Sequence, residues 1–152
     1  MKLKNSIELS KDQFFTLLKA VYISNWIANA TRIDGKKEDF FALEHLILCY
    51  ASQFGFSEHV VHQETTNVYY PTDEFPEEHG LQDLIKEYED DIFWDDLAHR
   101  LGERDFCAKY TPAQRKKMTQ GEHFTLLYRF IDGYSAEFEE FGLERLAINK
   151  LR

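Results

Sequence analysis

The fold class follows first from residues 10–30, SKDQFFTLLKAVYISNWIANA. Ser10 and Gln13 have the spacing of a capping box, in which each side chain accepts from the other residue's backbone N–H, so a helix is predicted to begin here. At 100° per residue the apolar side chains fall on two rotated faces, one from Phe14 to Tyr22 and one from Ile23 to Ile33. A helix with two apolar faces needs neighbours on two sides, which favours a mainly helical fold.

The same helix carries two polar residues, Asn25 and Asn29, one turn apart. Two interpretations are open. In the first, the pair lies on a central helix and is satisfied by solvent or by hydrogen bonds. In the second, it is a polar anchor in a pocket.

A second helix is predicted from about Lys37 to Phe54, with Gly55 as a left-handed stop. Its short connection to the first helix predicts an antiparallel hairpin. Residues 57–76 are ambiguous, because a helix-like start at Ser57 is followed by β-branched and aromatic residues before Pro71. We expect that segment to be irregular or partly extended.

Downstream, two helices are predicted over Leu81–Glu89 and from Ile92 to about Cys107, with Asp90 or Asp91 as the cap of the second. The residues predicted to face inward on the second of these helices are Phe93, Trp94, Leu97, Ala98 and Leu101. The alternative is one continuous helix. Thr111 is a further capping residue that is predicted to open a short basic turn, and a long final helix is predicted from Thr119 to Phe141, with Gly142 as its stop. The expected fold is therefore all-α, a single domain over residues 1–152 built as a bundle of five or six helices on the N-terminal hairpin.

The composition is that of a globular protein. The chain has 152 residues, of which 43% are hydrophobic and 30% charged, as in ordinary globular domains. It has no apolar run long enough for a signal peptide or a membrane span, so a cytoplasmic location is predicted. The two cysteines, Cys49 and Cys107, are too few for a disulfide framework and are expected to be free thiols. No cofactor is expected.

Charge is distributed unevenly along the chain. Residues 73–105, called the acidic segment below, hold 13 acidic and three basic side chains, a local net charge of −10 within an overall −9. The rest of the chain is therefore nearly neutral. The overall negative charge argues against direct nucleic-acid binding, whose affinity comes mostly from Lys and Arg on phosphates.

Two interpretations of the acidic segment compete. In one it is a solvated face, with Asp90, Asp91, Asp95 and Asp96 at a helix start, where the helix dipole favours negative charge, and with i, i+4 pairs Lys86–Asp90 and Asp96–Arg100. In the other it binds a basic protein partner. The carboxylates proposed for that surface are Asp73, Glu74, Glu77, Glu78, Glu87, Asp90, Asp91 and Asp95.

A metal site is the alternative hypothesis. On a helix Asp95, Asp96 and His99 share one face, and His59 with His62 forms an i, i+3 pair able to complete the ligand set. Such a site would serve a metal-dependent hydrolase. The chain lacks the His-Glu-x-x-His and repeated Glu-x-x-His patterns of known helical metal sites, which argues against it.

Other chemistry has little support. The chain has no Gly-x-Ser-x-Gly elbow and no Gly-rich phosphate loop. We therefore expect a non-enzymatic interaction or regulatory protein that acts through the acidic segment, with no membrane partner. Homo-oligomerisation is left open.

Two motifs resemble a known pattern: FWDDLAHRLGERDF at residues 93–106 and EFGLERL at 140–146. The first is similar to a Phe-Trp-Asp-x-Leu run followed by Arg-Leu and Arg-Asp in small bacterial and phage proteins of unknown function. The resemblance implies a bacterial or phage origin and carries no activity or site with it.

Overall fold

A computed structural model describes residues 6–147 and shows a mainly helical protein. Within that range it has six α-helices, two short 3₁₀ helices and one two-stranded sheet. The chain divides into two compact units, unit 1 at Met1–Ile85 and unit 2 at Lys86–Arg152. The single domain over residues 1–152 stays a prediction.

Unit 1 contains the first helices and the sheet. In chain order its elements are α1 at Lys11–Asn29, α2 at Glu38–Leu48, 3₁₀ helices at Ala51–Phe54 and Ser57–His59, β1 at Val60–Gln63, β2 at Val68–Pro71, α3 at Phe75–Glu78 and the first residues of α4, which begins at Leu81.

Helix α1 begins where the capping box predicts. Ser10 Oγ accepts from the Gln13 backbone N–H at 3.2 Å, and Gln13 Oε1 accepts from the Ser10 N–H at 2.8 Å. The helix buries Phe14 and Leu18 in a core that is strongly aromatic: the Phe14 ring stacks on Phe54 at 3.9 Å between centroids, and Phe75 is 1% exposed. Burying these large rings stabilises the unit through the hydrophobic effect.

Helix α2 is shorter than predicted. It ends at Leu48, and the chain continues through a turn into the 3₁₀ helix that ends at Phe54. The stop at Gly55 is confirmed, because this residue adopts a left-handed φ of 78° and its N–H donates to the carbonyl oxygens of Ala51 and Ser52. The tighter helix buries Ala51 at 1% exposure.

The ambiguous segment forms a small hairpin. Strands β1 and β2 pair antiparallel with Val60 opposite Pro71, and Asn67 in the turn has a φ of 53°. The backbone N–H of Tyr69 donates to His45 Nδ1 on α2 at 3.0 Å, which ties the sheet to the helices. The expectation of a partly extended chain over 57–76 is confirmed.

Unit 2 contains the rest of α4, which ends at Lys109, followed by α5 at Pro112–Arg115 and α6 at Gln120–Phe141. Helix α4 is continuous from Leu81 over 29 residues. The division into two helices was wrong and the continuous alternative is confirmed. Asp90 and Asp91 lie in the middle of α4, so neither is a cap.

Helices α4 and α6 share a core in unit 2. Ala98, Ile131 and Phe138 are buried, with Trp94 and Leu101 packed around them. Gly102 allows α4 to lie close to Ile131 on α6. A Cβ at this position would lie 2.7 Å from Ile131 Cγ1 and 2.9 Å from the Ile131 backbone nitrogen.

The start of α6 offers a stability test. Thr119 Oγ1 accepts from the Glu122 N–H at 3.2 Å while a Glu122 carboxylate oxygen accepts from the Thr119 N–H at 2.8 Å. We expect Thr119→Ala to lower the free energy of unfolding by about 1 kcal/mol, since it leaves helix N–H groups without partners. Urea denaturation measures this. Thr125→Ala, an exposed substitution inside the same helix, is the matched control, and an equal loss there would refute the capping role.

Candidate functional site

The continuity of α4 removes the explanation of the acidic segment by helix-end charge. The dipole of a helix acts mainly on its first and last turns. Four carboxylates of the acidic segment lie nine or more residues from either end of α4: Asp90, Asp91, Asp95 and Asp96. These carboxylates are all exposed, and the helix end does not offset their charge.

Ion pairs offset part of that charge. Asp96 accepts from Arg100 Nε at 2.5 Å, as predicted, and Asp95 lies 3.4 Å from His99 Nδ1. Between residues 6 and 147 no ion pair within 4 Å involves Lys86, so the predicted Lys86–Asp90 pair is not formed.

Three carboxylates of α4 form a row. Glu87, Asp91 and Asp95 are successive i, i+4 neighbours, and like charges at that spacing repel each other by roughly 0.2–0.5 kcal/mol per pair. Among the ion pairs of residues 6–147, one involves this row: Asp95 lies close to His99, which is charged only when protonated. The row is a concentration of negative charge that the described residues of unit 2 leave largely uncompensated.

Apolar side chains lie beside that row. Tyr88 is 57% exposed, and Ile92 and Phe93 are each 48% exposed. The expectation that Phe93 points into the core was therefore wrong. Trp94 is partly buried, as predicted, with its ring 5.4 Å from that of Phe138. A helix face that pairs uncompensated carboxylates with exposed apolar groups is a feature of binding surfaces.

The other predicted partner-binding carboxylates belong to unit 1. Asp73, Glu74, Glu77 and Glu78 are exposed in and around α3. Glu87, Asp90, Asp91 and Asp95 belong to unit 2. The predicted surface thus divides into two groups of four, and only the second lies along one helix.

The predicted metal ligands are also divided between the units. Asp95, Asp96 and His99 lie on α4 in unit 2, while His59 and His62 lie in unit 1. His62 faces the hairpin turn, where its Nε2 lies 3.0 Å from Asn67 Oδ1 and its ring stacks on Tyr69. His59 has different neighbours, which join it to two residues that the predicted metal site did not include.

Those residues are Glu78 and His79. Within residues 6–147 the single group of three or more potential metal ligands consists of His59, Glu78 and His79, whose ligand atoms all lie within 4.8 Å of one another. The two imidazole rings meet edge to face at 4.7 Å between centroids. His59 ends the second 3₁₀ helix and His79 follows α3, so the fold of unit 1 brings the two rings together across 20 residues of sequence.

His79 has an unusual environment. Its Nε2 is buried and has no hydrogen-bond partner among the described residues. Burial lowers the pKa of the ring, and the neighbouring His59 lowers it further. The lowered pKa favours the neutral imidazole, which is the form that ligates metals. The sequence signal for this group is the adjacent pair Glu78-His79. Adjacent residues do not have the i, i+3 or i, i+4 spacing by which ligands on a helix are recognised.

A second polar group is buried in unit 1. Glu44 on α2 is 5% exposed and accepts from Asn25 Nδ2 at 2.6 Å, while Asn29 Nδ2 donates to Asn25 Oδ1 at 2.7 Å. Asn29 also holds the Lys37 backbone at the start of α2. The hydrogen-bonded interpretation of Asn25 and Asn29 is thus confirmed. Desolvation raises the Glu44 pKa to about 7.

Comparisons with known proteins do not assign the chain. No family model, no curated protein and no solved structure matches it. The resemblance to small bacterial and phage proteins stays a prediction. None of the helices in the described range combines the length and apolar character needed to cross a bilayer.

Proposed function

We propose that this protein is a non-enzymatic interaction protein whose α4 helix binds a basic amphipathic segment of another protein. The row Glu87, Asp91 and Asp95 carries the proposal, because its like charges repel and the described residues of unit 2 leave most of that charge uncompensated. A cationic partner would relieve this repulsion. Asp90, on the same exposed stretch, adds to the negative potential.

The apolar side chains define the partner further. Tyr88 and Ile92 are also i, i+4 neighbours, so an apolar row runs parallel to the acidic one, and both of its side chains are about half exposed. A segment that presents Lys or Arg beside Leu, Ile or Phe at helical spacing complements both rows. Charge then sets orientation and association rate, and apolar burial supplies affinity.

This proposal retains other expectations from the sequence that stay predictions. They are a bundle built on an antiparallel α1–α2 hairpin, a cytoplasmic location, a bacterial or phage source and the added contribution of Asp73, Glu74, Glu77 and Glu78 to partner binding.

Charge reversal tests the acidic row. The probe is a fluorescent amphipathic peptide of Lys and Leu, compared with a Lys and Ser peptide of equal charge. We expect the full chain to prefer the Lys and Leu peptide, and Asp91→Lys with Asp95→Lys to weaken binding by about tenfold or more, because two attractions become repulsions. Fluorescence anisotropy at two salt concentrations measures both effects.

A matched double variant controls for net charge. Asp132→Lys with Glu140→Lys changes two exposed carboxylates on α6 by the same total charge. It should bind the Lys and Leu peptide nearly as well as the unmodified chain. If both double variants lose affinity equally, binding reflects net charge and the proposed surface is wrong. Ile92→Ser should remove the preference between the two peptides, and an unchanged preference would exclude the apolar row.

A further inference from the structure

We propose that His59, Glu78 and His79 form a binding site for a divalent transition-metal ion, with zinc as the best fit. The site lies wholly in unit 1 and is independent of the proposed partner surface on α4.

The donor types select the metal class. Two imidazoles and one carboxylate are a set that zinc binds in proteins, with the fourth position left for water or another ligand. Calcium and magnesium prefer six or more oxygen ligands, which His59 and His79 do not offer. Within the described residues no cysteine joins the group, so the set is hard-to-borderline in character and suits zinc, cobalt and nickel.

The distances require only local adjustment. Ligand atoms about 2.0–2.1 Å from a tetrahedral zinc ion lie about 3.3 Å apart. The ligand atoms here lie within 4.8 Å of one another, so each side chain needs to move by at most about an ångström. Glu78 is exposed and can rotate onto the ion, whereas the two imidazoles are partly buried and need only a small shift.

An aromatic shell positions the imidazoles. Phe75, itself 1% exposed, lies 5.4 Å from the His59 ring and 5.2 Å from the His79 ring, and Phe15 lies 4.8 Å from His79. Such an apolar surround limits water and strengthens the attraction between the ion and its ligands. The phenylalanine rings offer no hydrogen-bond acceptor to the imidazoles, and His59 Nε2 lies 3.6 Å from a carboxylate oxygen of Glu58.

The unpartnered nitrogen gives independent support. A buried polar atom without a partner is destabilising, and few are found in folded proteins. His79 Nε2 is such an atom. A metal ion bound through Nε2 would supply a partner for this nitrogen. One cation opposes the site: Lys19, whose ammonium lies 5.1 Å from the Phe15 ring centroid, lowers the pKa of His79 through its charge and repels a metal ion in the same way.

Metal titration tests the proposal. Full-length protein without a histidine tag is stripped with a chelator and titrated with zinc by calorimetry, and with cobalt by visible absorption, which reports the coordination geometry. We expect one ion per chain and a cobalt spectrum typical of four-coordinate N and O ligands. Glu78→Gln, which changes an exposed side chain, should weaken zinc binding by about tenfold or more while the circular dichroism spectrum is unchanged.

Two further variants separate this site from other histidines. His79→Ala should abolish the cobalt spectrum. Because this variant loses a ring that packs against phenylalanines, its thermal unfolding transition is measured to verify that it is folded. His62→Ala and His99→Ala should bind zinc as the unmodified chain does, because neither residue belongs to the group. Substoichiometric binding by the unmodified chain, or equal affinity in Glu78→Gln, would overturn the proposal.

Discussion

Gly102→Ala is expected to destabilise the protein by about 2–3 kcal/mol, although alanine is the better helix former by about 1 kcal/mol. The new methyl group would lie 2.7 Å from Ile131 Cγ1, 2.9 Å from its backbone nitrogen and 3.0 Å from its Cα. A side-chain atom can rotate away, but the α6 backbone cannot. Relief therefore requires α4 and α6 to separate, which exposes part of the Ala98, Ile131 and Phe138 core.

A second glycine provides the control. Gly133 lies inside α6, and a Cβ there would meet no atom within 4 Å. Gly133→Ala should therefore stabilise the protein by about 0.5–1 kcal/mol through helix propensity alone. Chemical denaturation should show that the same Gly-to-Ala substitution lowers the free energy of unfolding at position 102 and raises it at position 133. If Gly102→Ala is also stabilising, the close approach of α4 to Ile131 is incorrect.

Glu44→Gln is expected to remove a large pH dependence of stability. The pKa of Glu44 is about 7 in the folded protein and near 4.5 in the unfolded chain, because burial disfavours the carboxylate. Between these two values the folded state holds a proton that the unfolded state has lost. The free energy of unfolding therefore falls as pH rises from about 4.5 to about 7 and stays lower above that, by about 3 kcal/mol in total.

Glutamine keeps an oxygen that accepts from Asn25 and carries no charge. Above pH 7 we expect Glu44→Gln to be more stable than the unmodified chain, and below pH 4.5 the two should be similar. Thermal unfolding across pH 4–8 measures the difference. Glu38→Gln, on the same helix but exposed, should leave the pH profile unchanged. Parallel profiles for Glu44→Gln and the unmodified chain would show that folding does not raise the pKa of Glu44.

The local signals in the sequence were reliable where one turn of chain contains the whole interaction. The capping boxes at Ser10, Thr111 and Thr119 are all formed, and Gly55 is the left-handed stop that its position predicts. Each depends on backbone groups three residues apart, so composition and spacing decide it. The acidic run at residues 89–91 was different. A helix start was inferred there from residue type alone, although the helical pattern is not interrupted, and the helix is continuous.

The site residues show the limit of such reasoning. The acidic row on α4 follows from sequence spacing once the helix is known to be continuous. His59 and His79 have no spacing in common, and nothing short of the fold places them together. Phe93 likewise has the pattern of a core residue, and only the packing of α6 decides that Trp94 is covered while Phe93 is left half exposed.

By itself the sequence determined the mainly helical class, the starts of the capped helices and the concentration of negative charge between residues 73 and 105, because these depend on local hydrogen bonding, periodicity and composition. Tertiary structure alone decided the ligand group of His59, Glu78 and His79, the burial of Glu44 and the contact of Gly102 with Ile131. Each of these joins residues about 20 or more positions apart, and such contacts depend on how whole elements pack.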